Sequence, residues 1–421
     1  MAEFEHSKAV LVSIAERGSD IAECNISLDE LERLLNTAGG DCFAKIIQVK
    51  ESFDPRTCIG RGKVEEISEL CRANDVGLVV FDFELTPAQI RNLENDIGEV
   101  TVIDRSMLIL DIFALHAVSA EGKLQVELAQ LKYTAPRLTG KGTELSRQGG
   151  GIGSRGPGES KLETDRRHLH ERVVSLEEKL SQLEHNRAIM RSARDRSGIT
   201  KIALVGYTNA GKSTLLNRLT GAEVLCEDKL FATLDPTTRK MELPSGKSVL
   251  FTDTVGFIRK LPHHLVKAFK STLDEVRLSD ILLIVSDAMD PEVDAHLKVT
   301  EEIVSELGAS DKPIIYVYNK CDGLEGVEYG VQNENTVCIS ARENLGIDEL
   351  FSLLDELINK SSKRVRLVFP YTEQGALNQL YGSYSVESCD YTDAGVVVIT
   401  VLDGKGQGQF ERYITGEVDN G

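Results

Sequence analysis

A glycine-rich stretch between a strand-like and a helix-like segment constrains this chain most strongly. It contains the pattern Gly-x-x-x-x-Gly-Lys-Ser from Gly206 to Ser213. The apolar run 201–205 before it predicts a strand, and the periodic residues 213–219 after it predict a helix. A phosphate-binding P-loop requires this order, because the glycines let successive backbone N–H groups face an anion. The stretch therefore predicts an α/β nucleotide-binding domain.

The residue types in this loop suit a triphosphate and its metal ion. We expect Lys212 to reach the β and γ phosphates and so to serve in catalysis, and we expect Ser213 to ligate Mg²⁺ through its hydroxyl. The loop residues expected to bind the nucleotide are Gly206, Tyr207, Thr208, Asn209, Ala210, Gly211, Lys212, Ser213 and Thr214.

Charge is distributed unevenly along the 421 residues. The net charge of −19 argues against nonspecific nucleic-acid binding, and we expect no DNA partner. Residues 123–196 nevertheless hold 15 Lys and Arg against 10 Asp and Glu, which suggests either a face for a polyanion or a solvated pair of helices. The eight cysteines form no C-x-x-C pair, which is typical of reduced thiols in the cytoplasm. We expect no secretion signal and no transmembrane segment, while peripheral membrane association stays open.

The first 104 residues read as a small α/β domain. Strand-like and helix-like runs alternate, which predicts a mostly parallel sheet. Ser27 and the pair Thr86-Pro87 are expected to begin helices. The turn Gly60–Lys63 resembles half a P-loop, and we assign it no nucleotide. The strand-like runs are 9–14, 43–49, 78–81 and 100–103, and the helix-like runs are 27–35, 63–73 and 87–95.

Residues 105–198 predict an antiparallel helical hairpin with a long tip loop. Apolar residues recur at helical spacing on both sides of the segment 136–160, which we call the Gly/Arg loop. Such a long loop is usually functional or disordered. Glycines let its backbone approach a polyanion, and its basic residues suit RNA phosphates and bases, whereas a flexible linker would explain only the glycines. The expected RNA contacts are Arg137, Lys141, Arg147 and Arg155.

Three segments in and beside this loop closely resemble the HflX family, within the Obg and HflX group of P-loop GTPases. They are Glu127–Leu138, Leu145–Glu159 and Leu162–Arg167, and with the nucleotide motifs the resemblance spans about residues 40–360. The resemblance implies a ribosome-associated GTPase that binds the large ribosomal subunit and its RNA. It also implies that the Gly/Arg loop lies near the catalytic centre of that subunit. It also implies that some members separate or rescue ribosomes. We expect a monomer.

Two further motifs predict how the γ-phosphate is sensed. The family motif selects Thr233 as a ligand of Mg²⁺ and a catalytic residue, although local sequence leaves Thr237 and Thr238 as alternatives. In the D-x-x-G motif, Asp253 can hold Mg²⁺ through water, and the Gly256 N–H can bond the γ-phosphate and act in catalysis. The nucleotide-binding residues expected here are Phe231, Ala232, Thr233, Leu234, Asp235, Asp253, Thr254, Val255 and Gly256.

The base is predicted from an N-K-x-D motif after the strand-like run 313–318. Asp322 can accept both the ring N–H and the exocyclic amine of guanine, which adenine does not offer, so we expect on the order of a 10⁴-fold preference for GTP as substrate. The expected base-binding residues are Asn319, Lys320, Cys321 and Asp322, followed by Ser340, Ala341 and Arg342.

Hydrolysis is expected to be slow without a partner. Phe257 follows the D-x-x-G motif where Ras-like enzymes carry a glutamine that orients the attacking water, and an aromatic ring cannot do this. Three candidates could replace the missing glutamine in hydrolysis: K⁺ held by Asn209, Arg259 acting in cis, or groups of ribosomal RNA. Asn209 is a candidate because its position binds potassium in some related GTPases.

The predicted fold class is multidomain α/β with four parts. A small α/β domain (1–104) carries the helical hairpin (105–198), a P-loop GTPase domain with a mostly parallel sheet follows (199–360), and a small α+β domain ends the chain (361–421). Nucleotide state is expected to reach the hairpin through its second helix, which leads into the P-loop strand. The alternatives are an RNA-modification factor, for which no second catalytic centre is visible, and a protein-binding signalling GTPase, which leaves the Gly/Arg loop without a task.

Overall fold

The structure is a computed structural model, and its residues form two compact units that are discontinuous in sequence. Unit 1 contains 1–183, 227–235 and 258–272, and unit 2 contains 184–226, 236–257 and 273–421. Two short segments that follow the P-loop in sequence therefore belong to the same unit as the N-terminal residues. The predicted four-domain division stays a prediction. The structure describes residues 7–16, 21–138, 157–195, 199–221, 230–231, 233–260, 262, 270–360, 363–384, 386–402 and 404–418.

A four-stranded parallel sheet forms the N-terminal part of unit 1, as the alternating pattern predicted. Its order is β2-β1-β3-β4, and apolar side chains of strands and helices make its core. The strands are β1 (Lys8–Glu16), β2 (Asp41–Lys50), β3 (Leu78–Phe81) and β4 (Thr101–Asp104), and the helices are α1 (Ile21–Thr37), α2 (Arg61–Asn74) and α3 (Pro87–Ile97).

One of the two predicted helix starts is confirmed and the other is wrong. Thr86 caps α3 in a reciprocal capping box with Gln89, and Pro87 is the first helical residue. Ser27 instead lies inside α1, which begins at Ile21. Its buried hydroxyl donates to the Asp82 carboxylate at 2.7 Å, so a tertiary contact explains this serine.

Three helices follow the sheet where the sequence predicted two. The first run breaks at residues 117–119 into α4 (Arg105–His116) and α5 (Ala120–Leu138), and α6 spans Pro157–Asp195. Ion pairs join α5 to α6 from Arg172 to Glu127 at 2.6 Å and from Lys132 to Glu177 at 2.7 Å. Because these partners rise together along both helices, the two ion pairs do not fit the predicted antiparallel packing, which is wrong for this stretch of α5 and α6.

The Gly/Arg loop is mostly outside the described residues. Lys141, Arg147 and Arg155 lie there, as does the side chain of Arg137. Among the described helices, none is long and apolar enough to cross a membrane.

Unit 2 contains a seven-stranded sheet of order β10-β11-β9-β8-β5-β7-β6. Pairing is parallel except between β6 and β7 and between β10 and β11, so β5, β7, β8 and β9 end at one edge. The strands are β5 (Thr200–Val205), β6 (Thr237–Glu242), β7 (Ser248–Asp253), β8 (Ile281–Asp287), β9 (Ile314–Asn319), β10 (Gly330–Asn333) and β11 (Thr336–Cys338), and the helices are α7 (Lys212–Thr220), α8 (Lys270–Leu278), α9 (Val293–Glu306) and α10 (Ile347–Lys360).

The C-terminal part of unit 2 is α+β, as predicted, with an antiparallel sheet of order β13-β14-β12-β15. The strands are β12 (Lys363–Phe369), β13 (Val386–Thr392), β14 (Gly395–Leu402) and β15 (Ile414–Glu417), and the helices are α11 (Gln374–Ser383) and α12 (Gly404–Gln409).

Candidate functional site

The P-loop joins β5 to α7 and needs its glycines for close packing. A Cβ at Gly206 would lie 2.1 Å from the carbonyl oxygen of Val285, at the end of the neighbouring strand β8. Gly211 has φ +89°, and a Cβ there would lie 2.3 Å from Nδ2 of Asn319. The Val285 backbone therefore excludes any side chain at position 206, and the buried Asn319 amide excludes one at position 211.

Lys212 is folded back over this loop. Its ammonium donates to the carbonyl oxygens of Gly206 at 3.1 Å and Tyr207 at 2.8 Å. Burial lowers the pKa of Lys212 to about 8, and the nearby Asp253 carboxylate offsets only part of that effect. A buried cation at the start of a helix suits a polyphosphate, whose negative charge would restore its protonation.

The residues expected to hold Mg²⁺ in this unit lie side by side. The Ser213 hydroxyl donates to the Asp253 carboxylate at 2.5 Å, and Asp253 ends β7 with no exposed surface. Mg²⁺ prefers oxygen ligands and keeps several waters, so one hydroxyl next to one carboxylate fits the ion. Thr233, the third expected ligand, is half-buried and belongs to unit 1.

The D-x-x-G loop is hydrogen-bonded to the P-loop. The N–H of Phe257 donates to the Gly206 carbonyl at 3.0 Å, and the Thr208 N–H donates to the Phe257 carbonyl at 2.7 Å. A Cβ at Gly256 would lie 2.7 Å from Cα of Thr208. The Phe257 ring is 1% exposed, so the residue that replaces the water-orienting glutamine packs in the interior.

Asn319 joins the two loops expected around the guanine. It ends β9 and is 3% exposed. Its amide nitrogen donates to the Ala210 carbonyl at 3.0 Å, and its amide oxygen accepts the Ala341 N–H at 3.0 Å. One buried side chain thus fixes the P-loop and the Ser340–Arg342 loop relative to each other.

The other N-K-x-D residues differ in exposure. Lys320 has φ +64° and forms an ion pair with Asp287, at the end of β8, at 2.7 Å. Cys321 is buried and its N–H donates to the Ile339 carbonyl at 3.1 Å, which places it against the following loop. Asp322 is exposed, as its expected role toward a ligand requires.

Sequence reasoning missed two supports of this site. Arg218 on α7 donates to the carbonyl oxygens of Ala341 at 2.9 Å and Arg342 at 2.7 Å. The Tyr207 ring stacks on His296 of α9, with ring centroids 3.7 Å apart and planes inclined by 12°. Neither partner is part of a motif, so no local pattern could have identified it.

The segment 230–235 lies in unit 1 with the N-terminal residues. Phe231 packs edge to face on Phe113 of α4, with centroids 4.8 Å apart, and Leu234 is 1% exposed. Ala232 lies outside the described residues. The alternatives to Thr233 are placed in β6, where the Thr238 hydroxyl is hydrogen-bonded to that of Thr252 at 2.9 Å.

Comparison with known proteins gives one consistent assignment. Family models match residues 25–114 (GTP-binding GTPase N-terminal), 116–194 (GTP-binding GTPase Middle Region) and 201–320 (50S ribosome-binding GTPase). "GTPase HflX" of Caldanaerobacter subterraneus subsp. tengcongensis is 49% identical over 94% of this chain and 90% of its own. "GTPase HflX" of Escherichia coli (strain K12) is 42% identical over 89% of each.

Among solved structures, a GTP-binding protein from the archaeon Sulfolobus solfataricus in complex with GDP is 25% identical, with a TM-score of 0.44, covering 84% of this chain and 99% of that one. The relatives at 40–50% identity span nearly the whole chain. The chain therefore belongs to the HflX family and is a GTPase, which binds GTP and hydrolyses it to GDP and phosphate.

Proposed function

We propose that this GTPase binds the large ribosomal subunit and its RNA in the GTP form and leaves it after hydrolysis, in the cytoplasm and as a monomer. One observation carries the proposal. Residues 227–235 and 258–272, on either side of the D-x-x-G motif, belong to unit 1, which also contains the N-terminal sheet and helix α5. A segment that responds to the γ-phosphate is thereby connected to the basic region. Separation of the subunits is the task that the family resemblance suggests.

The nucleotide machinery is part of the proposal. Ser213 and Thr233 would ligate Mg²⁺ directly and Asp253 through water, and Asn209, which has φ +61°, would hold K⁺. Bound Mg²⁺ neutralises charge that develops on the transferred phosphoryl group. Lys212 binds the β and γ oxygens, the Gly256 N–H reports the γ-phosphate, and Asp322 selects guanine.

Pelleting with purified large subunits tests the proposal. Wild-type protein should sediment with the subunit in a nonhydrolysable GTP analogue and stay in the supernatant in GDP. Deleting Arg137–Arg155 should abolish this sedimentation and any ribosome-dependent stimulation, while basal hydrolysis persists. Equal sedimentation in both nucleotides would contradict the proposal.

Salt dependence separates RNA contact from a protein-only partner. Phosphate contacts release counterions, so the affinity for the large subunit, measured by sedimentation, should fall about tenfold or more between 50 and 200 mM salt. Affinity that does not change with salt would favour the protein-binding signalling alternative.

A further inference from the structure

The carboxylate of Asp235 lies at the beginning of helix α5. Its Oδ2 accepts hydrogen bonds from the N–H of Ser119 at 2.7 Å and the N–H of Val118 at 3.1 Å. Its Oδ1 accepts one from the Ser119 hydroxyl. Asp235 comes from the segment after the P-loop, more than 110 residues later in sequence, and it caps a helix of the N-terminal part.

Ser119 completes the cap from its own side. Its hydroxyl accepts the Gly122 N–H at 2.8 Å, and its carbonyl accepts the Lys123 N–H at 3.0 Å. The first turn of a helix carries unpaired N–H groups and a partial positive charge, so an anion there is stabilising. Asp235 therefore stabilises the point at which α5 starts.

Gly122 leaves the space that this contact needs. A Cβ there would lie 2.5 Å from Oδ1 of Asp235 and 3.1 Å from Oγ of Ser119. A glycine inside a helix costs about 1 kcal/mol relative to alanine. Close approach of Asp235 is a physical reason for a glycine at this position.

The rest of the segment is also held by unit 1. Leu230 and Leu234 are buried and Phe231 packs on Phe113. After the D-x-x-G motif, Lys260 donates to Asp82 at 2.6 Å and to the Ser27 hydroxyl at 2.9 Å. Both segments that flank this motif are therefore attached to the N-terminal part.

We propose that Asp235 is a positioning residue that transmits the nucleotide state to the Gly/Arg loop by capping or releasing α5. This inference rests on the proposed function. Thr233 and Asp235 are two residues apart, roughly 7 Å of extended chain. If Thr233 ligates Mg²⁺ in the GTP form, as proposed above, it would draw the Asp235 carboxylate away from Ser119. Helix α5 ends at Leu138 and contains the first three residues of the Gly/Arg loop.

Hydrogen exchange on the full chain tests the inference without a ribosome. In wild type, the amides of 118–123 should exchange about tenfold faster or more in the GTP analogue than in GDP, the factor expected for losing a charge-assisted hydrogen bond. Gly122→Ala should give fast exchange in both nucleotides, although alanine is the better helix former. Gly62→Ala is the matched control, since it lies in the first turn of α2 with no atom within 4 Å of its Cβ.

Two outcomes would overturn the inference: wild-type exchange that does not respond to the nucleotide, or a response that survives in both Gly122→Ala and Ser119→Ala. GDP affinity of both variants should equal that of wild type, which separates loss of coupling from loss of binding.

Sedimentation separates this inference from the proposed function. If wild type never sediments with the large subunit but its α5 amides respond to nucleotide, the proposed function fails and the coupling stands. If wild type sediments only in the GTP analogue and Gly122→Ala behaves identically, the coupling is overturned and the proposed function stands.

Discussion

Replacing Asn319 by alanine should strongly weaken nucleotide binding without changing the base preference. The substitution removes the donor to Ala210 and the acceptor from Ala341, both at 3.0 Å. The side chain is 3% exposed, so water does not readily replace these bonds. Each buried main-chain group left unpaired costs about 1–3 kcal/mol.

If this cost falls on the nucleotide-bound state, the two unpaired groups together weaken nucleotide binding by about 2–6 kcal/mol. Because about 1.4 kcal/mol corresponds to a factor of ten, we expect GDP affinity to fall at least about 30-fold. Preference for GDP over ADP should persist, because Asp322 is unchanged.

Titration with a fluorescent GDP analogue measures the effect, and circular dichroism verifies that the variant is folded. Asn335→Ala is the matched control, because Asn335 is exposed beside β11 and its substitution leaves both loops intact. Affinity of Asn319→Ala within threefold of wild type would refute the assignment of Asn319 as the connection between the loops.

Four further predictions concern single groups. Asp322→Asn should lose the preference for guanine over xanthine nucleotides, and unchanged GTP affinity would contradict its role. Because burial lowers the pKa of Lys212 to about 8, GDP affinity measured by calorimetry should fall as pH rises above about 8, since the phosphates bind the protonated amine. If Asn209 holds K⁺, hydrolysis should be faster in K⁺ than in Na⁺, and equal rates would exclude it. Burial opposes ionisation of Asp82, but Arg105 and Lys260 lower its pKa overall. Lys260→Met should therefore lower the free energy of unfolding by about 1 kcal/mol or less, since this cation is half-exposed. In urea unfolding at several pH values, this loss should be present above the ordinary aspartate pKa of 3.8 and vanish as the pH falls through the lowered pKa of folded Asp82.

Local patterns predicted the elements that carry the nucleotide motifs. The strand before Gly206 and the helix after Gly211 were predicted because apolar periodicity and glycine placement are local properties. The break at 117–119 was missed, since α4 and α5 share a similar apolar pattern and no glycine or proline marks the junction.

Long-range contacts explain the remaining differences. Ser27 has the local signature of a helix cap, yet its hydroxyl turns inward to Asp82, a partner 55 residues away. Arg218 contacts the Ser340–Arg342 loop across more than 120 residues. No spacing rule connects such pairs, and the same holds for the bond between Asp235 and Ser119.

The discontinuity of unit 1 has a consequence for synthesis of the chain. Residue 183 is synthesised about 50 residues before Phe231. At roughly 5–20 residues per second, the apolar surface around Phe113 then stays uncovered for about 2–10 seconds. An expression fragment that stops before this segment would keep that surface exposed permanently, and we expect it to aggregate more readily than the full chain.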